Sequence, residues 1–177
     1  MLVYLLAASV ATGQATAPGA PPAAPAPVAP QPSCTAPEHR QFDFWVGKWD
    51  VYPTGKDQLV AHSLIESVYA GCGVRENWMP LKAAGGGSLN IYLPEEKHWE
   101  QFWIDGQGTR ATFVGGWNGK AMVIQGKWGG PLVRISYSRN ADGSVRQFGE
   151  QSTDDGKSWS PSFDLTYRPS TQPASGQ

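Results

Sequence analysis

Residues 88–128 read SLNIYLPEEKHWEQFWIDGQGTRATFVGGWNGKAMVIQGKW, and this stretch decides the fold class. Short apolar runs alternate in it with turn signals, namely the four residues 94–97, the four residues 105–108 and the pair Asn118-Gly119. Asn-Gly between two apolar runs is a strong hairpin signal, and four-residue loops also join antiparallel strands. The stretch therefore predicts consecutive β-hairpins and no long helix.

The same pattern continues on both sides of this stretch and predicts an all-β domain. Ten strands are expected, over residues 49–52, 59–69, 74–79, 88–93, 98–104, 109–117, 120–128, 132–138, 145–153 and 158–167. A short helix is predicted over 36–45, because Phe42, Trp45 and Val46 fall at helical spacing. Ten up-and-down strands usually close into an antiparallel barrel, which leaves no open edge. A two-sheet sandwich is the alternative.

Local turns also predict which side chains point into the barrel. Opposed residues share a face, and we pair Leu93 with His98, Ile104 with Thr109, Trp117 with Lys120, Trp128 with Pro131, and Arg139 with Ser144. The interior face is then apolar and contains Leu89, Ile91, Leu93, Phe102, Ile104, Ala111, Phe113, Met122, Ile124, Trp128, Val133, Ile135, Tyr137, Phe148, Phe163, Leu165 and Tyr167. The outer face is polar and contains Ser88, Asn90, Gln101, Thr112, Gln125, Arg134, Ser136, Gln147 and Gln151. A slip of one residue would exchange the two faces.

Several charged and aromatic residues on the predicted interior face are candidates for a ligand site. Buried charges are costly unless they are paired, so a charge inside a barrel indicates an ion pair, a wet barrel mouth or a binding site. The candidate ligand-binding residues are Glu76, Trp78, His98, Glu100, Phe102, Tyr137, Arg146 and Glu150. If the register is shifted by one residue, the wall of the ligand site is instead formed by Asn90, Trp99, Gln101 and Trp103.

The N-terminal residues predict export. Residues 2–10 form an apolar run that is too short to span a bilayer, and Ala15-Thr16-Ala17 fits a signal-peptidase site. We expect a signal peptide over 1–17, a Pro/Ala-rich disordered linker over 18–33, a barrel domain over 34–168 and a disordered tail over 169–177. The mature chain is then periplasmic or secreted and has no transmembrane segment.

The two cysteines, Cys34 and Cys72, predict a disulfide, because an even count in an exported chain favours one. A metal pair or a catalytic thiol is the alternative. The chain has three histidines, His39, His62 and His98, which make a weak case for zinc, so no metal is expected.

Composition excludes some classes of partner. The net charge is −1 and the pI is about 6.3, with no run of Lys or Arg, so neither nucleic acid nor an anionic membrane is expected as a partner. The sequence has no nucleophile elbow, no phosphate-binding loop and no His-rich metal motif. Residues 152–159 match the Asp-box pattern, Ser-x-Asp-x-Gly-x-Thr/Ser-Trp, and predict a structural turn.

The segment 42–51, FDFWVGKWDV, resembles the opening of an uncharacterised exported bacterial family that is similar to nitrobindin and lipocalin-type (calycin) barrels. Further matches are Gly71-Cys72, Glu76-Asn77-Trp78, Ser88-Leu89-Asn90, residues 99–105 and the Asp-box. The resemblance implies a barrel of roughly ten strands. Nitrobindin-like relatives bind haem through a histidine near the C-terminus, and this chain has no histidine after His98, so haem and other cofactors are not expected.

Three functions follow as hypotheses. The first is an exported, lipocalin-like barrel that binds a small apolar or amphipathic molecule. The second is a small isomerase or hydrolase that uses interior Glu and Arg side chains. The third is an envelope interaction module that acts through the Trp and amide face.

Overall fold

The computed structural model describes residues 34–171, and these residues form a closed, ten-stranded antiparallel β-barrel. Runs rich in Val, Ile, Trp and Tyr, separated by Gly- and Asp-containing turns, form its strands. The strands are β1 Gly47–Pro53, β2 Ala61–Val68, β3 Gly73–Pro80, β4 Gly86–Leu93, β5 His98–Asp105, β6 Arg110–Trp117, β7 Met122–Lys127, β8 Leu132–Arg139, β9 Val145–Ser152 and β10 Ser160–Pro169. The predicted signal peptide over 1–17, the linker over 18–33 and the last six residues of the tail lie outside the described residues.

Each strand pairs with its neighbours in the sequence, and β10 pairs with β1 to close the barrel. In the closing pair, Val51 faces Tyr167. Closure removes both sheet edges, which would otherwise expose unpaired backbone groups. The predicted barrel is therefore confirmed, and the alternative of a two-sheet sandwich is wrong.

One end of the barrel is plugged by the segment that precedes β1. The predicted short helix forms as two 3₁₀ helices, Pro37–Arg40 and Asp43–Trp45. Phe42 and Trp45 are fully buried and stack on each other, with ring centroids 5.0 Å apart, and the Trp49 indole donates to the Trp45 carbonyl at 2.9 Å. These rings close the end of the barrel at which β1 begins.

A disulfide and a hydrogen bond hold this plug to the barrel. Cys34 and Cys72 form the predicted disulfide, and their Cα atoms are 5.0 Å apart. The Arg40 guanidinium donates to the carbonyl oxygen of Gly71, next to Cys72 in the connection from β2 to β3. The plug is thus tied to the same end of the barrel that it covers.

Two hairpins have a register that differs by one residue from the predicted register. In the β5–β6 hairpin, the Asp105 amide donates to the Thr109 carbonyl at 3.1 Å, Gly108 has a φ of 80°, and Ile104 therefore faces Arg110. The β8–β9 hairpin repeats this arrangement from Asn140 to Ser144, with Gly143 at a φ of 84°. Both are three-residue loops with a glycine in the left-handed region, a common way to join two strands.

Because a slip of one residue exchanges the faces of a strand, the predicted faces of β4, β5 and β9 are wrong. Side chains predicted to be interior lie on the outer face in these strands: Leu89, Ile91, Leu93, Phe102, Ile104 and Phe148. Side chains predicted to be outside are buried within the barrel: Ser88, Asn90, Gln101 and Gln147. Gln151, also predicted outside, is half-buried and faces the interior residue Val133.

The faces of β6, β7, β8 and β10 were predicted correctly. The β4–β5 and β7–β8 turns have the expected registers, Leu93 facing His98 and Trp128 donating to Pro131. In the β6–β7 hairpin, Gly119 and Lys120 are the central residues and Trp117 faces Met122, a shift of two residues that leaves the faces unchanged. The interior of these strands contains Ala111, Phe113, Met122, Ile124, Trp128, Val133, Ile135, Tyr137, Phe163, Leu165 and Tyr167.

The Asp-box forms the hairpin between β9 and β10. The Asp154 carboxylate accepts hydrogen bonds from the Ser152 and Ser158 hydroxyls, at 2.7 and 2.6 Å, and from the Ser158 amide. These bonds, those from Ser158 first, lower the pKa of Asp154 to about 2. Gly156 has a φ of 86°, and the Trp159 indole donates to its carbonyl. The motif therefore acts as a turn.

Alanine substitutions at two neighbouring glycines in β6 test how closely the backbones of β6 and β7 approach each other. A Cβ atom on Gly115 would overlap the backbone carbonyl of Val123, whereas a Cβ atom on Gly116 would meet no atom. We expect Gly115→Ala to lower the free energy of unfolding by about 2 kcal/mol, because the backbone must move to relieve the overlap. Gly116→Ala should change it by less than about 0.5 kcal/mol. Urea denaturation checks both, and equal effects would contradict the close approach.

Candidate functional site

A continuous ring of hydrogen-bonded polar side chains crosses the barrel interior. We call it the polar ring. Its members come from six strands, β3, β4, β5, β8, β9 and β10, and all of them are buried. They are Glu76, Ser88, Asn90, Gln101, Tyr137, Gln147 and Tyr167.

One half of the polar ring runs from Glu76 to Tyr137. The Ser88 hydroxyl donates to Glu76 at 3.2 Å, and the Asn90 amide donates to the Ser88 oxygen at 3.2 Å. The Gln101 amide then donates to the Asn90 oxygen at 2.7 Å and to the Tyr137 hydroxyl at 3.2 Å. The fully buried Asn90 also donates to the backbone carbonyl of Val74, which anchors this half to β3.

The other half returns from Tyr137 to Glu76. The Gln147 amide donates to the Tyr137 hydroxyl at 3.0 Å, and Tyr167 donates to the Gln147 oxygen at 2.8 Å. The Tyr167 hydroxyl also lies 3.5 Å from Glu76, which closes the circuit. Because the Tyr137 oxygen accepts from both glutamines, its own proton is not used within the polar ring. That proton is available to a ligand.

Glu76 is the acidic member of the polar ring. Its side chain is 5% exposed and accepts from Ser63 and Ser88, both at 3.2 Å, as well as from Tyr167. Burial favours the neutral acid and raises the pKa of Glu76 from about 4.5 to about 7, although the three hydroxyl donors oppose this shift. Near neutral pH, Glu76 can therefore give or take a proton.

The nearby phenols respond to the same environment. Burial raises the pKa of Tyr167 and that of Tyr137 well above their ordinary range, and the charge of Glu76 raises them further. Both phenols therefore keep their protons near neutral pH and act as hydrogen-bond donors or acceptors.

A cavity of about 130 Å³ lies between the polar ring and the end of the barrel opposite the plug. The polar side of its wall is formed by five members of the polar ring, and the remainder is apolar and largely aromatic. The apolar lining residues are Trp78, Trp103, Phe113, Trp128, Ile135, Phe163 and Leu165. The Trp103 indole contributes a buried Nε1 atom with no hydrogen-bond partner in residues 34–171.

The structure brings only some of the predicted site residues together. Glu76, Trp78 and Tyr137 line the cavity, as do Gln101 and Trp103 from the shifted-register set. From that same set, Asn90 belongs to the polar ring and Trp99 is 2% exposed inside the barrel. The shifted register is thus the one that holds on β4 and β5, and it places these side chains away from the surface that the interaction-module hypothesis required.

The remaining candidates lie on the outer face, so their predicted interior placement is wrong. Phe102 is exposed, and His98 and Glu100 lie 3.5 Å apart on the outer side of β5. The slipped turn at Asp105–Thr109 explains this error, because it exchanges the faces of β5.

Arg146 and Glu150 form ion pairs on the outside of the barrel, with partners on neighbouring strands. The Arg146 guanidinium donates twice to Asp164, at 2.8 and 2.6 Å, and Arg134 donates twice to Glu150, at 3.0 and 2.9 Å. The bond to Arg146 lowers the pKa of Asp164. Arg146 and Glu150 therefore cannot form the interior catalytic pair of the enzyme hypothesis. The carboxyl group that lines the cavity is that of Glu76.

Sequence reasoning missed four polar residues of the site: Ser63, Ser88, Gln147 and Tyr167. Ser88 and Gln147 were placed outside, and Tyr167 was treated only as an apolar core residue. A signal was available in the alternation of small hydroxyl and amide side chains on one face of β4, β5 and β9, but it favoured solvent exposure as strongly as an interior site.

The described part of the chain has no group of three or more His, Cys, Asp or Glu side chains that could hold a metal ion. Within residues 34–171, no helix has the length and apolar character needed to cross a membrane. No protein-family model and no curated protein sequence matches this chain.

Proposed function

We propose that this protein is an exported barrel that binds one small apolar or amphipathic molecule in its interior cavity. The observation that carries the proposal is the cavity itself, which is apolar on most of its wall and polar on the side of Glu76, Gln101 and Tyr137. Ligand sites in proteins commonly combine an apolar concave wall with a few convergent polar groups.

The volume of the cavity suits a ligand about as large as a single benzene ring. An engineered apolar cavity of about 150 Å³ binds benzene, and the present cavity of about 130 Å³ is of similar size. Its aromatic wall would contact the body of such a molecule. The Tyr137 hydroxyl proton would donate to an oxygen on it.

The disulfide between Cys34 and Cys72 supports export. Disulfides form and persist in the periplasm and outside the cell, and they are rare in a reducing cytosol. A periplasmic or secreted location agrees with this bond and with the signal peptide predicted for residues 1–17. The resemblance to an exported family that is similar to calycin barrels is a further prediction, and it also agrees with export.

A pair of isoleucine variants tests binding in the cavity. Ile135 lines the cavity, whereas Ile104 is 53% exposed on the outer face. The larger indole of Ile135→Trp should fill the cavity and weaken the binding of one-ring probes such as benzyl alcohol by about tenfold or more. Ile104→Trp, the matched control, should leave binding unchanged. Isothermal titration calorimetry measures the affinity, since each variant adds a tryptophan that would alter fluorescence.

Wild-type binding can also be followed by tryptophan fluorescence, because Trp78, Trp103 and Trp128 all line the cavity. If none of a panel of one-ring probes changes the fluorescence or releases heat, the cavity does not bind such molecules. If Ile135→Trp binds them as well as the wild type does, they bind elsewhere. Either result would overturn the proposal.

A further inference from the structure

Glu76 is a buried carboxyl group with no cationic partner. None of the ion pairs within residues 34–171 includes it, and its hydrogen-bond donors are the neutral hydroxyls of Ser63, Ser88 and Tyr167. The phenol of Tyr137, whose pKa the charge of Glu76 raises, also carries no positive charge. A buried carboxylate is costly without a counter-ion, so Glu76 holds a proton below about pH 7, and once it is ionised it favours a cation that the described chain does not supply.

The wall facing this carboxyl group is also suited to a cation. Trp78 lies beside Tyr167, with ring centroids 6.2 Å apart, and Trp103 lies beside Trp128 at 6.0 Å. All four rings line the cavity. The faces of aromatic rings attract cations, most strongly for tryptophan, and aromatic cages are the usual sites for ammonium groups.

An anionic ligand fits this site poorly. The free donor at the wall, the Tyr137 O–H, is neutral, so it could bind an oxygen atom but could not balance a negative charge. No Lys or Arg side chain lines the cavity, and an anion would lie beside Glu76. The charge distribution therefore favours cations over anions.

We propose that the ligand is a small organic ammonium ion of about one ring in size, with its charged nitrogen beside Glu76 and its apolar body between the tryptophan rings. This inference rests on the proposed function, since it names the class of molecule that the same cavity binds. It adds a specific counter-ion role for Glu76, which the binding of a neutral molecule would not require.

Three probes of one shape and different charge separate the two proposals. Benzylammonium, benzyl alcohol and benzoate are titrated into the full chain at about pH 8 and followed by tryptophan fluorescence and calorimetry. We expect benzylammonium to bind about tenfold or more tightly than benzyl alcohol and benzoate to bind most weakly. If benzyl alcohol binds as tightly as benzylammonium, the cation inference is wrong while binding in the cavity stands. If none binds, both proposals fail.

Two glutamate variants test the role of the carboxyl group. Glu76→Gln keeps the shape of the side chain, and it should weaken benzylammonium about tenfold while changing benzyl alcohol less than about twofold. Glu66→Gln removes the same charge from the surface, where Glu66 pairs with Arg75 at 2.6 Å, and should affect neither probe. Equal losses for both probes in Glu76→Gln would show that the residue only shapes the cavity.

A measurement on the wild type avoids any dependence on whether the variants fold. Tetramethylammonium keeps its charge at every pH, so its affinity follows the protein alone. Because the pKa of Glu76 is raised to about 7, the affinity for tetramethylammonium should rise by about tenfold in total as the pH increases towards that value and should level off above it. Tert-butyl alcohol, a neutral molecule of similar shape, should show no such rise. The same pH dependence for both molecules would overturn the inference.

Discussion

Serine in place of both Cys34 and Cys72 should lower the free energy of unfolding by about 4 kcal/mol. The disulfide closes a loop between residues 38 positions apart, and chain-entropy estimates for a loop of this length give about that stabilisation. For a barrel of this size, the melting temperature should fall by about 10 to 15 °C. Urea and thermal denaturation of the double variant measure both quantities.

The reduced wild type is the matched control for this experiment. A reductant should bring the wild type to the midpoint of the double variant and should leave the double variant unchanged. The urea m-value should rise when the bond is absent, because a chain without the loop exposes more surface on unfolding. A loss below about 1 kcal/mol would mean that the Phe42 and Trp45 plug holds the barrel end closed without the covalent tie.

The strands and the closed barrel could be predicted from local sequence because each connection is short. Turn residues such as Gly129-Gly130 mark the ends of consecutive antiparallel strands, and a long series of such strands closes on itself. This reasoning depends only on where the turns fall. It does not depend on the number of residues in each loop.

The number of residues in each loop decides which face of the next strand points into the barrel, and two loop lengths were predicted wrongly. The loops at Asp105–Thr109 and Asn140–Ser144 each contain a glycine in the left-handed region, at Gly108 and Gly143. Their sequences also suit a four-residue loop, so composition could not decide between two registers that place opposite faces inside. The β10 residues Leu165 and Tyr167 were nevertheless placed correctly, because a further error lies between β9 and β10: Phe148 was predicted to share their face, whereas it faces Asp164 on the outer side.

The failure on β4 and β5 coincides with the candidate site. Leu89 and Phe102 are exposed on the outer face, whereas Asn90 and Gln101 are buried within the polar ring. A rule that places apolar residues inside must fail where the interior is a hydrogen-bonded polar site, and such failures are expected at functional positions. The size of the cavity could not be predicted either, because it depends on how side chains from many strands meet.

The stability of this protein should fall by about 3 kcal/mol between about pH 4.5 and pH 7 because of Glu76 alone. Burial raises the pKa of Glu76 from about 4.5 to about 7, so in this range the folded chain holds a proton that the unfolded chain has lost. Stability from a raised carboxyl pKa is complete below the unfolded value and is lost as the pH rises through the folded value. Each pKa unit corresponds to about 1.4 kcal/mol, which gives the expected size.

Glu76→Gln isolates this contribution, because glutamine cannot titrate. Its amide oxygen can accept from one of Ser63 and Ser88, and its NH2 group can donate to the hydroxyl oxygen of the other. The difference in the free energy of unfolding between variant and wild type, measured in urea, should shift by about 3 kcal/mol in favour of the variant from about pH 4.5 to about pH 8. For the surface variant Glu66→Gln, the difference in the free energy of unfolding from the wild type should change by less than about 0.5 kcal/mol over this pH range, because exposed ion pairs contribute little to stability. A constant difference for Glu76→Gln would mean that the wild type keeps a fully ionised carboxylate in its interior. The site would then already contain a compensating charge, and the reason for assigning an ammonium ligand to it would be lost.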